Sequence, residues 1–125
     1  MSVLIDSSVW IEYFRGARDT DAVDFLIDEG LVATNDLILA ELVPALRVRR
    51  QRRLIGLLNA LRTYPITVDW DDVIRMQVVC LRNGTSGVGI PDLIIAQNAM
   101  QHELDLFTYD RHFELLSRHV PLSLY

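Results

Sequence analysis

Short apolar runs alternate with longer stretches in which apolar residues recur every three or four positions. Val3 to Ile5 reads as a brief buried strand, and SVWIEYFRG after it as a short helix capped by Ser7 or Ser8 and ended near Gly16. Ala22, Val23, Phe25 and Leu26 have helical spacing within Asp19 to Glu29, and Gly30 stops that helix. LVAT at 31–34 predicts a second strand, and LILAELVPALRV a helix capped by Asn35 or Asp36. Pro44 lies inside it, removes one donor, and is expected to kink or split it. LIGLLNALR is helical again, and YPITV at 64–68 has the look of a third strand. DWDDVIRMQVVCLRN predicts a helix opened by acids, and Asn83 to Gly89, with three glycines, a loop. Pro91 sits in the first turn of a helix through DLIIAQNAMQHE. LDLFT at 104–108 is a fourth strand, YDRHFELLSRH a turn and short helix, and VPLSL at 120–124 a fifth, edge-type strand.

Strands alternating with helices predict an α/β fold, an α/β/α sandwich around a mostly parallel sheet of four to five strands. With 125 residues, half of them apolar, the chain suits one domain over residues 1–125 with a substantial core. No apolar run is long enough for a membrane span, no signal-peptide pattern opens the chain, and Cys80 is the one cysteine. A cytoplasmic protein is the expectation.

The net charge of -5 argues against a general nucleic-acid binder. Its distribution modifies that view. All twelve basic residues are arginine, and five of them, Arg47, Arg49, Arg50, Arg52 and Arg53, fall within RVRRQRR. Arginine favours bidentate pairing with phosphates or carboxylates, although a solvated helix surface gives the same pattern.

Active sites of open α/β sheets lie outside the carboxyl ends of the strands. Asp6 follows the first strand and Asp110 the fourth, Asp92 opens a helix after the glycine-rich loop, and Glu41 stands inside LILAELV. Each acid has a plain alternative. Asp6 could cap a helix, Asp92 could favour a helix dipole, Asp110 could be a turn residue, and Glu41 could reach solvent. One shared cause is simpler: converging carboxylates offset by one or two divalent cations, with oxygen ligands that suit Mg²⁺ and Mn²⁺. Ser7 and Thr108 stand beside two of the acids and could orient a carboxylate or a water. Receiver domains and aspartyl phosphatases also place acids at strand ends, but both use a lysine, and this chain has none.

These segments together resemble the PIN-domain ribonucleases, most closely the toxin of VapBC-type toxin–antitoxin modules. LIDSSVWIEYFRG resembles the first family motif, with Asp6 as leading metal ligand and Ser7 in the usual Thr or Ser place. LAELV resembles the second and assigns Glu41, GIPDLIIAQNA the third and assigns Asp92, and LFTYDRHF the fourth and assigns Thr108 and Asp110. The similarity spans nearly the whole chain. Gln97 and Asn98 depart from an often alanine-rich helix, and Pro44 from ordinary helix formers.

The resemblance implies an endoribonuclease dependent on Mg²⁺ or Mn²⁺, in which a metal-activated water hydrolyses an RNA phosphodiester to a 5′-phosphate and a 3′-hydroxyl. It also implies a homodimer, and inhibition by a small antitoxin in a toxin–antitoxin hetero-oligomer. Arg15 and the Arg47 to Arg53 group are candidate RNA or partner contacts, and Trp10, Tyr13 and Phe14 with Leu54 to Leu61 a candidate cleft for an antitoxin helix. His102, His112 and His119 are scattered and expected to be structural, although His112 could approach the mouth of the site. A PIN-like nuclease outside toxin modules, or a catalytically silent partner-binding protein, are the alternative readings.

Overall fold

The computed structural model describes all 125 residues. Its elements run β1 (Val3–Ile5), α1 (Ser7–Phe14), α2 (Thr20–Asp28), β2 (Val32–Thr34), α3 (Asp36–Val48), α4 (Arg52–Asn59), β3 (Arg62–Thr63), α5 (Trp70–Arg82), α6 (Ile90–Gln101), β4 (Asp105–Phe107) and α7 (Arg111–Ser117). The four strands form one sheet in the order β3-β2-β1-β4, every pair parallel. Seven helices surround it in the expected α/β architecture, consistent with a three-layer sandwich. β1 is an interior strand, so Val3, Leu4 and Ile5 are all fully buried, which is why the segment reads as an unbroken apolar run. One continuous apolar cluster joins these residues to Trp10, Leu26, Ile38, Leu58, Met76, Leu93 and Phe113. No helix is long and apolar enough to cross a membrane.

Four local expectations are corrected. The third strand is Arg62–Thr63, just ahead of the expected YPITV at 64–68, of which Tyr64 adds one ladder bond from its N–H to the Thr34 carbonyl at 2.9 Å. Beyond it, side chains of α6 take the backbone groups that a strand would offer to a neighbour. Asn98 Nδ2 donates to the Pro65 carbonyl at 3.0 Å and Gln101 Nε2 to that of Thr67 at 3.0 Å. Gln97 accepts from the Asp69 N–H and donates to its carbonyl, both at 3.0 Å. Gln97 and Asn98, the departures noted above, therefore clamp residues 65–69 to α6. The fifth strand shrinks to one parallel bridge, Leu106 to Leu124, on the outer edge of β4.

Pro44 neither splits α3 nor ends it, since the helix runs through to Val48. Pro44 and Ala40, whose carbonyl loses its partner, both lie on the exposed side of the helix, where water can bond that oxygen. Asn35 caps α3 as expected, accepting from the Ile38 N–H at 2.9 Å. At α1 the cap position belongs to Asp6 rather than to a serine, and the Asp6 side chain makes no capping bond. Its carboxylate is engaged elsewhere.

Candidate metal-binding active site

Parallel pairing brings the carboxyl ends of β1 and β4 side by side. Ile5 is in register with Phe107, and the Asp6 N–H donates to the Phe107 carbonyl at 2.9 Å. The chain then turns outward at both ends, delivering Asp6 from one strand and Thr108, Tyr109 and Asp110 from the other. Asp6 is 4% exposed. Ser8 Oγ donates to its Oδ2 at 2.7 Å and Thr108 Oγ1 to the same oxygen at 3.0 Å. The two hydroxyls in turn accept the Tyr109 N–H at 3.1 Å and the Asp110 N–H at 3.0 Å. This relay fixes the plane of the Asp6 carboxylate and leaves Oδ1 as its other donor atom. It also explains why Asp6 does not cap α1.

Asp92 enters from the first turn of α6, just after Gly89, with Pro91 fixing the helix start. Its carboxyl is pushed above the ordinary range, chiefly by burial and then by Asp110, with Asp6 adding to the effect; the Gly89 N–H and His112 act the other way. Glu41 arrives from α3. The residue lies on the exposed side of the helix, so it is not buried among its apolar sequence neighbours. Its carboxyl is nevertheless pushed upward, first by desolvation and then by Asp6 and Asp92, while a hydrogen bond from Ser7 lowers it. Desolvation, not another charge, is the larger cause at both acids. The four acids thus lie near enough to influence one another: Glu41 feels Asp6 and Asp92, and Asp92 feels Asp6 and Asp110.

Asp110 has two duties. Its Oδ1 caps α7 by accepting the His112 N–H at 2.9 Å, while the carboxylate faces Asp92. The imidazole of His112 lies beside both acids, with Nδ1 3.3 Å from Asp110 Oδ1 and 3.5 Å from Asp92 Oδ2. Ligand atoms of Asp92, Asp110 and His112 all fall within 4.8 Å of one another. His112 is therefore part of the site, against the expectation that all three histidines are structural. His102 instead packs on Tyr64, with ring centroids 4.9 Å apart.

Sequence reasoning named Asp6, Glu41, Asp92 and Asp110, took Ser7 rather than Ser8 as the partner of Asp6, and gave His112 only as able to approach the mouth of the site. It is Ser8, one residue after Ser7, that binds Asp6. A signal for both residues exists in the spacing, because Ser8 and His112 each follow an acid by two residues. No site acid pairs with an arginine. The salt bridges of this chain pair Arg15 with Glu12, Arg18 with Asp19, Arg75 with Asp72 and Arg118 with Glu114, apart from those of His112.

Arg47, Arg49, Arg50, Arg52 and Arg53 straddle the α3–α4 junction, and all five are exposed. Arg50 takes a left-handed conformation at the turn, with φ 55°. Beside Glu41, a groove of about 260 Å³ runs between α1, α3 and α4. Phe14, Leu42, Leu46 and Leu54 contribute its apolar wall, and Arg15 and Arg49 its cationic groups. The expected aromatic cleft is corrected in two respects: Trp10 and Leu58 are fully buried and belong to the core.

Among solved structures, the chain is similar to VapBC2 from Rickettsia felis, a complex bound to a DNA fragment from its promoter. The TM-score is 0.78 at 18% identity, covering 100% of this chain and 98% of that one. FitAcB from Neisseria gonorrhoeae gives 0.74 at 20% identity, covering 98% and 96%. VapC20 from Mycobacterium tuberculosis, described as a sarcin-ricin loop cleaving toxin, gives 0.62 at 15% identity, covering 91% and 94%. At such identities the likeness is one of fold. No curated protein matches the chain. The family model described as PIN domain matches residues 3–118, nearly the whole length, and the chain therefore belongs to the PIN-domain family.

Proposed function

We propose that this chain is a divalent-metal-dependent endoribonuclease acting as the toxin of a type II toxin–antitoxin module. The observation that carries the reading is the convergence of Asp6, Glu41, Asp92 and Asp110 at the carboxyl ends of β1 and β4, with Glu41 and Asp92 pushed upward and no arginine to offset them. Such a set of hard oxygen donors fits Mg²⁺ or Mn²⁺. Bound there, the ion would supply a Lewis acid that activates water and offsets charge on a phosphoryl group. Asp6 and Asp92 are the principal ligands in this reading, joined by Glu41 and Asp110. Ser8 and Thr108 hold Asp6 in place, and Ser7 favours the ionised form of Glu41. Arg15 and the Arg47 to Arg53 group guide the RNA backbone past a pocket that is otherwise acidic. The toxin assignment draws support from the VapBC complexes that share the fold.

The groove beside Glu41 suits an antitoxin segment that lays apolar side chains against Leu42, Leu46 and Leu54 and carboxylates against Arg15 and Arg49. A homodimer is the second partner in this reading. Trp70, Ile74, Val78 and Leu81 make an exposed apolar stripe along α5, extended by Ile90, and a second copy of the same stripe would cover it.

The deciding experiment is RNA cleavage by the purified, partner-free protein with and without chelator. Wild type should cut in Mg²⁺ or Mn²⁺ and leave 5′-phosphates. Asp6→Ala and Asp92→Asn should fold and lose at least about 100-fold in rate, in line with several kcal/mol of charge stabilisation. Undiminished cleavage by a folded Asp92→Asn protein would overturn the assignment.

A further inference from the structure

His112 is the one nitrogen donor in a pocket of oxygens. Its Nδ1 stands 3.3 Å from Asp110 Oδ1 and 3.5 Å from Asp92 Oδ2. Both separations exceed the 2.9–3.0 Å, roughly, of an ordinary N–H···O bond, so the ring is committed to neither carboxylate. They are close to the spacing of neighbouring ligands on one ion, because two donors about 2.1 Å from a metal and at right angles lie about 3 Å apart. The ring is held in this position from behind. The His112 N–H is bound by Asp110, Phe113 anchors the next residue in the core, and Gly87 passes close to the far edge of the imidazole. Gly87 has φ +90°, and a Cβ there would lie 3.4 Å from His112 Nε2. One nitrogen thus faces the loop and the other faces the acids. The His112 side chain is 38% exposed, which leaves a hydrated ion room to approach.

We propose that His112 Nδ1 is a direct ligand of the cation held by Asp92 and Asp110, and that it biases the site toward Mn²⁺ and later first-row ions over Mg²⁺. The inference rests on the divalent-cation reading of the pocket. Its chemistry is that of donor softness: Mg²⁺ favours an all-oxygen shell, whereas imidazole suits the transition metals.

Pulsed electron paramagnetic resonance of the full chain loaded with Mn²⁺ tests it directly. Wild type should show ¹⁴N modulation from a coordinated imidazole. His112→Gln should abolish that signal, and His102→Gln and His119→Gln should retain it. By calorimetry, the ratio of Mn²⁺ to Mg²⁺ affinity should fall about tenfold in His112→Gln. Stoichiometric Mn²⁺ binding without nitrogen coupling in wild type would overturn the proposal and leave His112 as a hydrogen-bonding neighbour of the carboxylates. Absence of Mn²⁺ uptake, or uptake undiminished by Asp92→Asn, would instead overturn the reading of the pocket itself.

Discussion

At the scale of single residues, the pocket is a local cost that folding tolerates. Glu41 and Asp92 hold protons more tightly in the folded chain than in the unfolded one. Their contribution to stability is therefore present below the ordinary carboxylate range and lost as pH rises through their raised values. In chelator at pH 7, Asp92→Asn should melt above wild type by roughly 2–4 °C. That advantage should shrink as pH is lowered toward 5, and Mg²⁺ should stabilise wild type more than the variant; calorimetric scans at two pH values with and without Mg²⁺ check all three. The acids were legible in the sequence because strand ends and helix starts leave few places for a carboxylate to go. Ser8 was not, and His112 only as a residue able to approach the mouth, since which of two adjacent hydroxyls meets Asp6, and where an imidazole turns, depend on side-chain direction that spacing does not encode.

At the scale of elements, α6 does two jobs. Its first turn delivers Asp92, while its buried side holds residues 65–69 through Gln97 and Asn98, which are 3% and 1% exposed. Asn98 also accepts from Asn35 Nδ2 at 2.9 Å, tying the cap of α3 to the same network. Asn98→Leu would strand the Pro65 carbonyl and the Asn35 amide, and should destabilise the protein by about 2–4 kcal/mol in urea titration. The YPITV segment reads as a strand because its β-branched residues favour one. The amide side chains that divert it lie some 30 positions downstream, so no local window contains the reason. For a related cause, the split expected as one outcome at Pro44 did not occur. The expected break presumes that the orphaned carbonyl is buried, and exposure of Ala40 and Pro44 removes that presumption.

At the scale of the whole molecule, surface character divides by region. The arginines gather at the α3–α4 junction near the groove, and the apolar stripe lies on α5. In the proposed dimer, Ile74→Glu should shift sedimentation from dimer to monomer while metal affinity at the pocket stays within about twofold, because Ile74 lines no part of it. Combined Arg→Ala changes at positions 47, 49, 50, 52 and 53 should flatten the salt dependence of RNA binding, measured as the slope of log affinity against log salt. The overall architecture was readable from the alternation of strands and helices, whereas strand lengths and the division between partner surface and core were not; Trp10 has the same helical spacing whether it faces a groove or the interior. One feature of the sheet bears on how such a protein comes into being. Asp6, Glu41 and Asp92 belong to segments that precede β4, yet Asp110 and His112 take their places only when β4 pairs with β1, the first strand of the chain. A polypeptide leaving the ribosome therefore carries three of its four acids without the fourth, and on the proposed reading no cutting centre exists until its late strand zips against its earliest one.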